Sequence, residues 1–114
     1  MNLQKEILSD VIEWIENNLD KKLTMKIVAE RSGYSRWHLQ RIFSSNMKKT
    51  LGCYIRERRL SRASADLVNT DVSIINIALC YGFDTQQEFT RMFSRMYEIS
   101  PAKWRKEQKR QGNC

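Results

Sequence analysis

ALCYGFDTQQEFTRMF, residues 78 to 93, decides the fold of this chain. It reads as the end of one helix, a tight turn, and the start of a second helix. Gly82 stands where a helix C-terminus needs a left-handed residue, a conformation glycine adopts without steric cost. Asp84 or Thr85 caps the next helix by accepting a hydrogen bond from an orphan backbone N–H. In that second helix Phe89, Met92, Phe93 and Met96 recur at steps of three and four, so they share one face. Gln87, Thr90, Arg91 and Ser94 form the opposite stripe, which is polar and faces outward. A helical hairpin with Gln and Arg along its second helix has the shape and the donors to read base edges in a DNA major groove. An ordinary helical hairpin with a solvated face is the other reading of the stretch taken alone.

The same pattern occurs earlier in the chain. Thr24 caps a short helix from Met25 to about Ser32, with Ile27, Val28 and Ala29 available for burial, and Gly33 ends it. Ser35 caps a helix to about Met47, in which Leu39, Ile42, Phe43 and Met47 point inward. Trp37, Gln40, Arg41 and Ser44 make its outward stripe, and an exposed tryptophan beside Gln and Arg marks a binding surface more than a plain one. Ala29, Gly33, Tyr34 and Ser35 align with Ala78, Gly82, Phe83 and Asp84 at an offset of 49. After one extra residue, Leu39, Arg41, Phe43 and Ser44 align with Phe89, Arg91, Phe93 and Ser94 at an offset of 50. Turn chemistry and both faces repeat together, which points to two copies of one supersecondary unit.

The remaining segments frame these copies. Leu3 to Leu19 reads as a helix with Leu8, Val11, Ile12, Ile15 and Leu19 on one stripe and Trp14 widening it. Thr50 to Asn69 lacks proline and reads as one central helix, cationic through Arg56, Arg58, Arg59 and Arg62, a set suited to a solvated face or to a phosphate or two. Its length, ~25–28 Å at 1.5 Å per residue, falls short of the ~34 Å between successive major grooves on one face of B-DNA. Ser73 caps a helix from Ile74 to Tyr81. Ser100-Pro101 opens a last helix in which Trp104 closes the second core, and a basic, frayed tail follows. The expected fold is therefore all-α, with about seven helices in two helix-turn-helix subdomains joined by the central helix. The boundaries are 1–49, 50–69 and 70–108, with a basic tail over 109–114.

Charge and cysteine usage narrow the class. The chain has 114 residues and a formal charge of +7. Residues 1–20 hold one lysine against five acidic groups, a balance of −4, which leaves +11 on the other 94. A basic body with an acidic first helix suits a polyanionic partner, either nucleic acid or an anionic membrane. Cys53, Cys80 and Cys114 form no CxxC pair, which fits free thiols in a reducing cytoplasm, and the first two read as small buried residues. No apolar run approaches the ~20 residues of a membrane span, and the acidic, amphipathic first helix is unlike a secretory leader.

Several of these stretches together resemble a known family. Gly82-Phe83, the Phe89 and Phe93 spacing and Pro101-x-x-Trp104-Arg105 resemble the double helix-turn-helix domain of the AraC/XylS transcription regulators. SGYSRWHLQRIF (32 to 43), YIRERRL (54 to 60) and YGFDTQQEFTRMF (81 to 93) resemble its small single-domain activators of the MarA, SoxS and Rob type. The resemblance runs from about residue 7 to residue 107. It implies two recognition helices, about 36–47 and 86–97, in successive major grooves of double-stranded DNA. It implies base reading by Trp37, Gln40 and Arg41 in the first module and by Gln86, Gln87 and Arg91 in the second. Arg36, His38 and Thr90 match positions of backbone contact. It further implies a monomeric activator that engages RNA polymerase, uses no cofactor and no metal, and is controlled through its abundance. Two residues depart from the pattern. Glu88 stands where such proteins carry Thr, beside the expected DNA surface, and Trp104 replaces Tyr or Phe, a change expected to matter only for packing.

The competing class is a nonspecific basic protein that binds nucleic acid or anionic membrane, which needs no matched stripes on two helices. Enzyme chemistry has little support, since the chain carries no nucleophile–base spacing, no glycine-rich phosphate loop and no metal cluster.

Overall fold

The computed structural model describes residues 3–112, and among them there are seven α-helices and no strand. They are α1 Leu3–Glu16, α2 Met25–Ser32, α3 Arg36–Met47, α4 Leu51–Asn69, α5 Ile74–Cys80, α6 Gln86–Tyr97 and α7 Pro101–Gly112. The chain divides between Arg58 and Arg59 into two compact units, so the cut falls inside the continuous helix α4.

In the first unit α1, α2 and α3 close over a core of Leu8, Val11, Ile15, Leu19, Val28, Leu39, Ile42 and Phe43, joined by Leu51 and Ile55 of α4. Phe43 meets the Tyr54 ring edge-on at 5.3 Å. Helix α1 ends at Glu16, three residues before the sequence pattern does. Asn17 and Asn18 stop it, because short amide side chains compete for backbone partners. The Asn18 amide donates to the Trp14 carbonyl at 2.7 Å. Its backbone N–H donates to Ile15 in a tighter three-residue step. Leu19 still reaches the core through the turn that follows.

In the second unit Leu60, Ala63 and Leu67 of α4 pack with Ile77, Ala78 and Tyr81 and with Phe83, Phe89 and Phe93. Ring contacts run without a gap from Phe83 through Phe89, Phe93 and Tyr97 to Trp104 at centroid separations of 4.6–5.6 Å. Trp104 does more than pack. Its indole N–H donates to the Ser64 carbonyl at 3.0 Å, a bond that Phe cannot make. Arg105 donates to the carbonyls of Leu67, Thr70 and Val72. Lys109 donates to Thr70 O at 3.0 Å and pairs with Asp71 at 2.6 Å. These two cations sit on the carbonyl end of α4, where positive charge is favoured. They tie α7, which runs to Gly112, to the end of α4 through residues expected from the sequence to fray. Tyr81 donates to Asp66 at 2.6 Å, and burial first and that bond second push its phenol well above the usual tyrosine value.

Three further expectations change. Cys53 and Cys80 are exposed, not buried. Cys53 lies off the Leu51–Ile55 line of α4, and its thiol donates to Glu57 at 3.6 Å. Met96 leaves the apolar face of α6 and is 42% exposed. The third cysteine, Cys114, lies outside the described residues.

Candidate nucleic-acid interface

The two helical hairpins are built by the same local chemistry. Thr24 and Ser73 cap α2 and α5 by accepting from the N–H three residues on, at Ile27 and Asn76. Each hairpin then turns on a left-handed glycine, Gly33 at φ 82° and Gly82 at φ 84°. The turns close differently. Gly33 N–H returns to Ala29 O in a single bond. Phe83 N–H returns to Ala78 O and Gly82 N–H to Leu79 O, the paired bonds of a Schellman motif. That motif accounts for the extra residue, and it moves the cap. Ser35 caps α3 through His38 N–H at 3.1 Å, and Thr85, not Asp84, caps α6 through Glu88 N–H at 3.0 Å. Ser35 therefore corresponds to Thr85, at an offset of 50 instead of the 49 expected for Asp84.

The second helix of each hairpin is also closed alike. Lys48 (φ 60°) and Glu98 (φ 67°) are left-handed C-terminal residues, and their N–H groups return to Ser44 O and Ser94 O. Inside these frames Leu39 and Phe43 match Phe89 and Phe93 as buried anchors. Arg41 and Arg91 are both exposed on the opposite side.

On α3, Trp37 is 70% exposed, and the Arg41 guanidinium lies 5.3 Å from its ring centroid. That contact holds a cation over the negative face of the indole. Gln40 is half-buried and donates to Ser44 at 3.3 Å. Arg36 is exposed, and His38 is half-buried with its ring 4.5 Å from that of Tyr34. The five α3 residues singled out from the sequence thus share one helix in the first unit. On α6, Gln86, Gln87 and Arg91 are exposed and Thr90 is half-buried. All four belong to the second unit. Glu88 is the third residue of α6 after the Thr85 cap, so T-x-x-E is a capping pattern with an acid in the positive first turn.

Two exposed residues extend these stripes unnoticed in the sequence. Ser45 and Arg95 lie one turn beyond Arg41 and Arg91, and the four-residue step was the available signal. The cationic set on α4 is thinner than its sequence suggests. Arg58 pairs with Glu16 at 2.5 Å. The Arg59 guanidinium lies under Gly82, 3.1 Å from where a Cβ would stand, and burial lowers its pKa.

The helix-turn-helix domain family matches residues 28–107. AarP of Providencia stuartii, described as an HTH-type transcriptional activator, is 43% identical over 102 residues, covering 90% of this chain and 76% of its own length. The regulatory protein SoxS of Escherichia coli K12 is 42% identical over 101 residues, covering 89% of this chain and 94% of its own. An AraC-type transcriptional regulator from Chromobacterium violaceum has a crystal structure that superposes with a TM-score of 0.86 at 28% identity, covering 91% of this chain and 93% of its own. The chain belongs to the AraC-type helix-turn-helix family. Within that family it is similar to SoxS over nearly the whole of that protein's length and to the Rob regulator of Salmonella typhimurium over 36% of its length.

Proposed function

We propose that this chain is a sequence-specific, duplex-DNA-binding transcription activator that works as a monomer and inserts α3 and α6 into successive major grooves. One observation carries the reading. Two exposed polar stripes, each with an arginine at the same register, are held in frames that match cap for cap. In this reading Trp37, Gln40 and Arg41 read one half-site and Gln86, Gln87 and Arg91 the other. Arginine pairs bidentately with guanine, glutamine with adenine, and the indole packs on a thymine methyl. Arg36, His38 and Thr90 meet the sugar-phosphate backbone and fix register. RNA polymerase is the protein partner, the cytoplasm is the compartment, and the chain needs no cofactor and performs no catalysis. The similarity to AarP, a transcriptional activator, and to SoxS, a regulatory protein, supports this reading.

The alternative is a nonspecific basic protein, and titration of duplexes at several salt concentrations separates the two. The +11 body releases counterions on binding. With about six to eight phosphates neutralised, affinity falls roughly 10³-fold or more between ~50 and ~200 mM salt. At fixed salt the preferred duplex outcompetes an unrelated one by at least about 10³-fold. Equal affinity for unrelated duplexes would leave only the nonspecific reading.

A further inference from the structure

A notch of about 360 Å³ opens on the flank of α3, against the first turn of α1. Gln4, His38, Arg41, Ile42, Ser45 and Asn46 line it. Five of these six side chains carry hydrogen-bond donors: two amides, an imidazole, a guanidinium and a hydroxyl. Arg41 borders the notch, but under the proposed function its guanidinium is committed to base reading, so the seat is made by Gln4, His38, Ser45 and Asn46, and no carboxylate lines it. Two of these donors are held in place before any ligand arrives. The Asn46 amide spends one N–H on the Ile42 carbonyl at 2.8 Å, which fixes its plane and leaves a second N–H. The His38 ring rests against Tyr34.

We propose that this notch seats one phosphodiester of the DNA backbone and so sets how deeply α3 enters the groove. The inference rests on the reading of α3 as a groove-entering helix. Such a helix is flanked by a sugar-phosphate strand, and contacts to that strand set register without reading sequence. Gln4, Ser45 and Asn46 then join His38 as backbone-positioning residues. The seat belongs to the first module alone. At the offset of 50, the positions of His38 and Asn46 are taken in α6 by Glu88 and Met96, a carboxylate and a thioether.

Opposite charges placed at one exposed position test the proposal. In the full-length protein, Ser45→Glu should weaken binding by about tenfold, by the same factor on the preferred and on an unrelated duplex. Ser45→Lys should tighten both by a similar common factor, an outcome that misfolding cannot imitate. Gln4→Glu should repeat the loss from the α1 side. A scan of single methylphosphonates along the preferred duplex then locates the seat. At one phosphate the neutral linkage should weaken the wild type and cancel most of the Ser45→Glu penalty. Unchanged affinity in the Ser45 variants would overturn the seat, as would a changed base preference or a penalty equal at every linkage. A wild type that prefers one duplex while these variants do nothing sinks the notch and spares the proposed function. A wild type with no preference sinks that function itself.

Discussion

At the scale of single residues, the two outward stripes differ more than their frames do. Trp37 and Arg41 form a pair on α3, whereas the position of Trp37 is Gln87 on α6, so Arg91 has no indole beside it at that step. Glu88 is the residue with opposed effects. As the third residue after the Thr85 cap, its charge favours the positive end of α6, a contribution of about 0.3–1 kcal/mol. Against a phosphate strand the same charge is repulsive. Glu88→Thr should therefore lower thermal stability slightly while tightening DNA binding, measured by melting curves and duplex titration on one preparation. A loss of affinity would instead make Glu88 a base reader, accepting from cytosine N4. The sequence shows that Glu88 departs from the family pattern. It does not show which residue caps α6, and the cap supplies the structural reason for the acid.

At the scale of elements, the hairpin turns were legible and the helix ends were less so. Gly33 and Gly82 announced themselves because a left-handed turn favours glycine. The matching turns at Lys48 and Glu98 did not, since side-chain-bearing residues hold the same conformation there. The difference between the two glycines is tertiary. Gly33 has open space where a Cβ would stand, whereas Gly82 faces the Arg59 guanidinium. Gly33→Ala should cost only the left-handed strain, about 1 kcal/mol. Gly82→Ala should cost more, about 2 kcal/mol, because the half-buried guanidinium must also shift. Denaturant unfolding of the two variants checks this, and equal losses would mean that Arg59 yields freely. The exposure of Cys53 and Cys80 was illegible for a similar reason. Helix α5 is almost uniformly apolar and α4 has apolar residues on more than one line, so only packing shows which line turns inward.

At the scale of the molecule, the all-α fold and the seven helices followed from periodicity, caps and the internal repeat. The helices of the second hairpin fell within a residue of their expected bounds. The flank of α3 did not follow, because Gln4 and Asn46 lie 42 positions apart in the sequence and meet only when α1 packs on α3. The bonds from Trp104 and Arg105 to α4 were equally hidden, since they join segments nearly forty residues apart. The central claim is that each hairpin reads its own bases, and selection of bound duplexes from a random pool measures it most directly. The wild-type protein should enrich two unlike half-sites at a fixed spacing of about one helical turn, with one chain per site. Arg41→Ala should erase preference in one half and Arg91→Ala in the other, each by about 1–3 kcal/mol. A pool that enriches no sequence, or arginine variants that weaken every duplex alike, would contradict it.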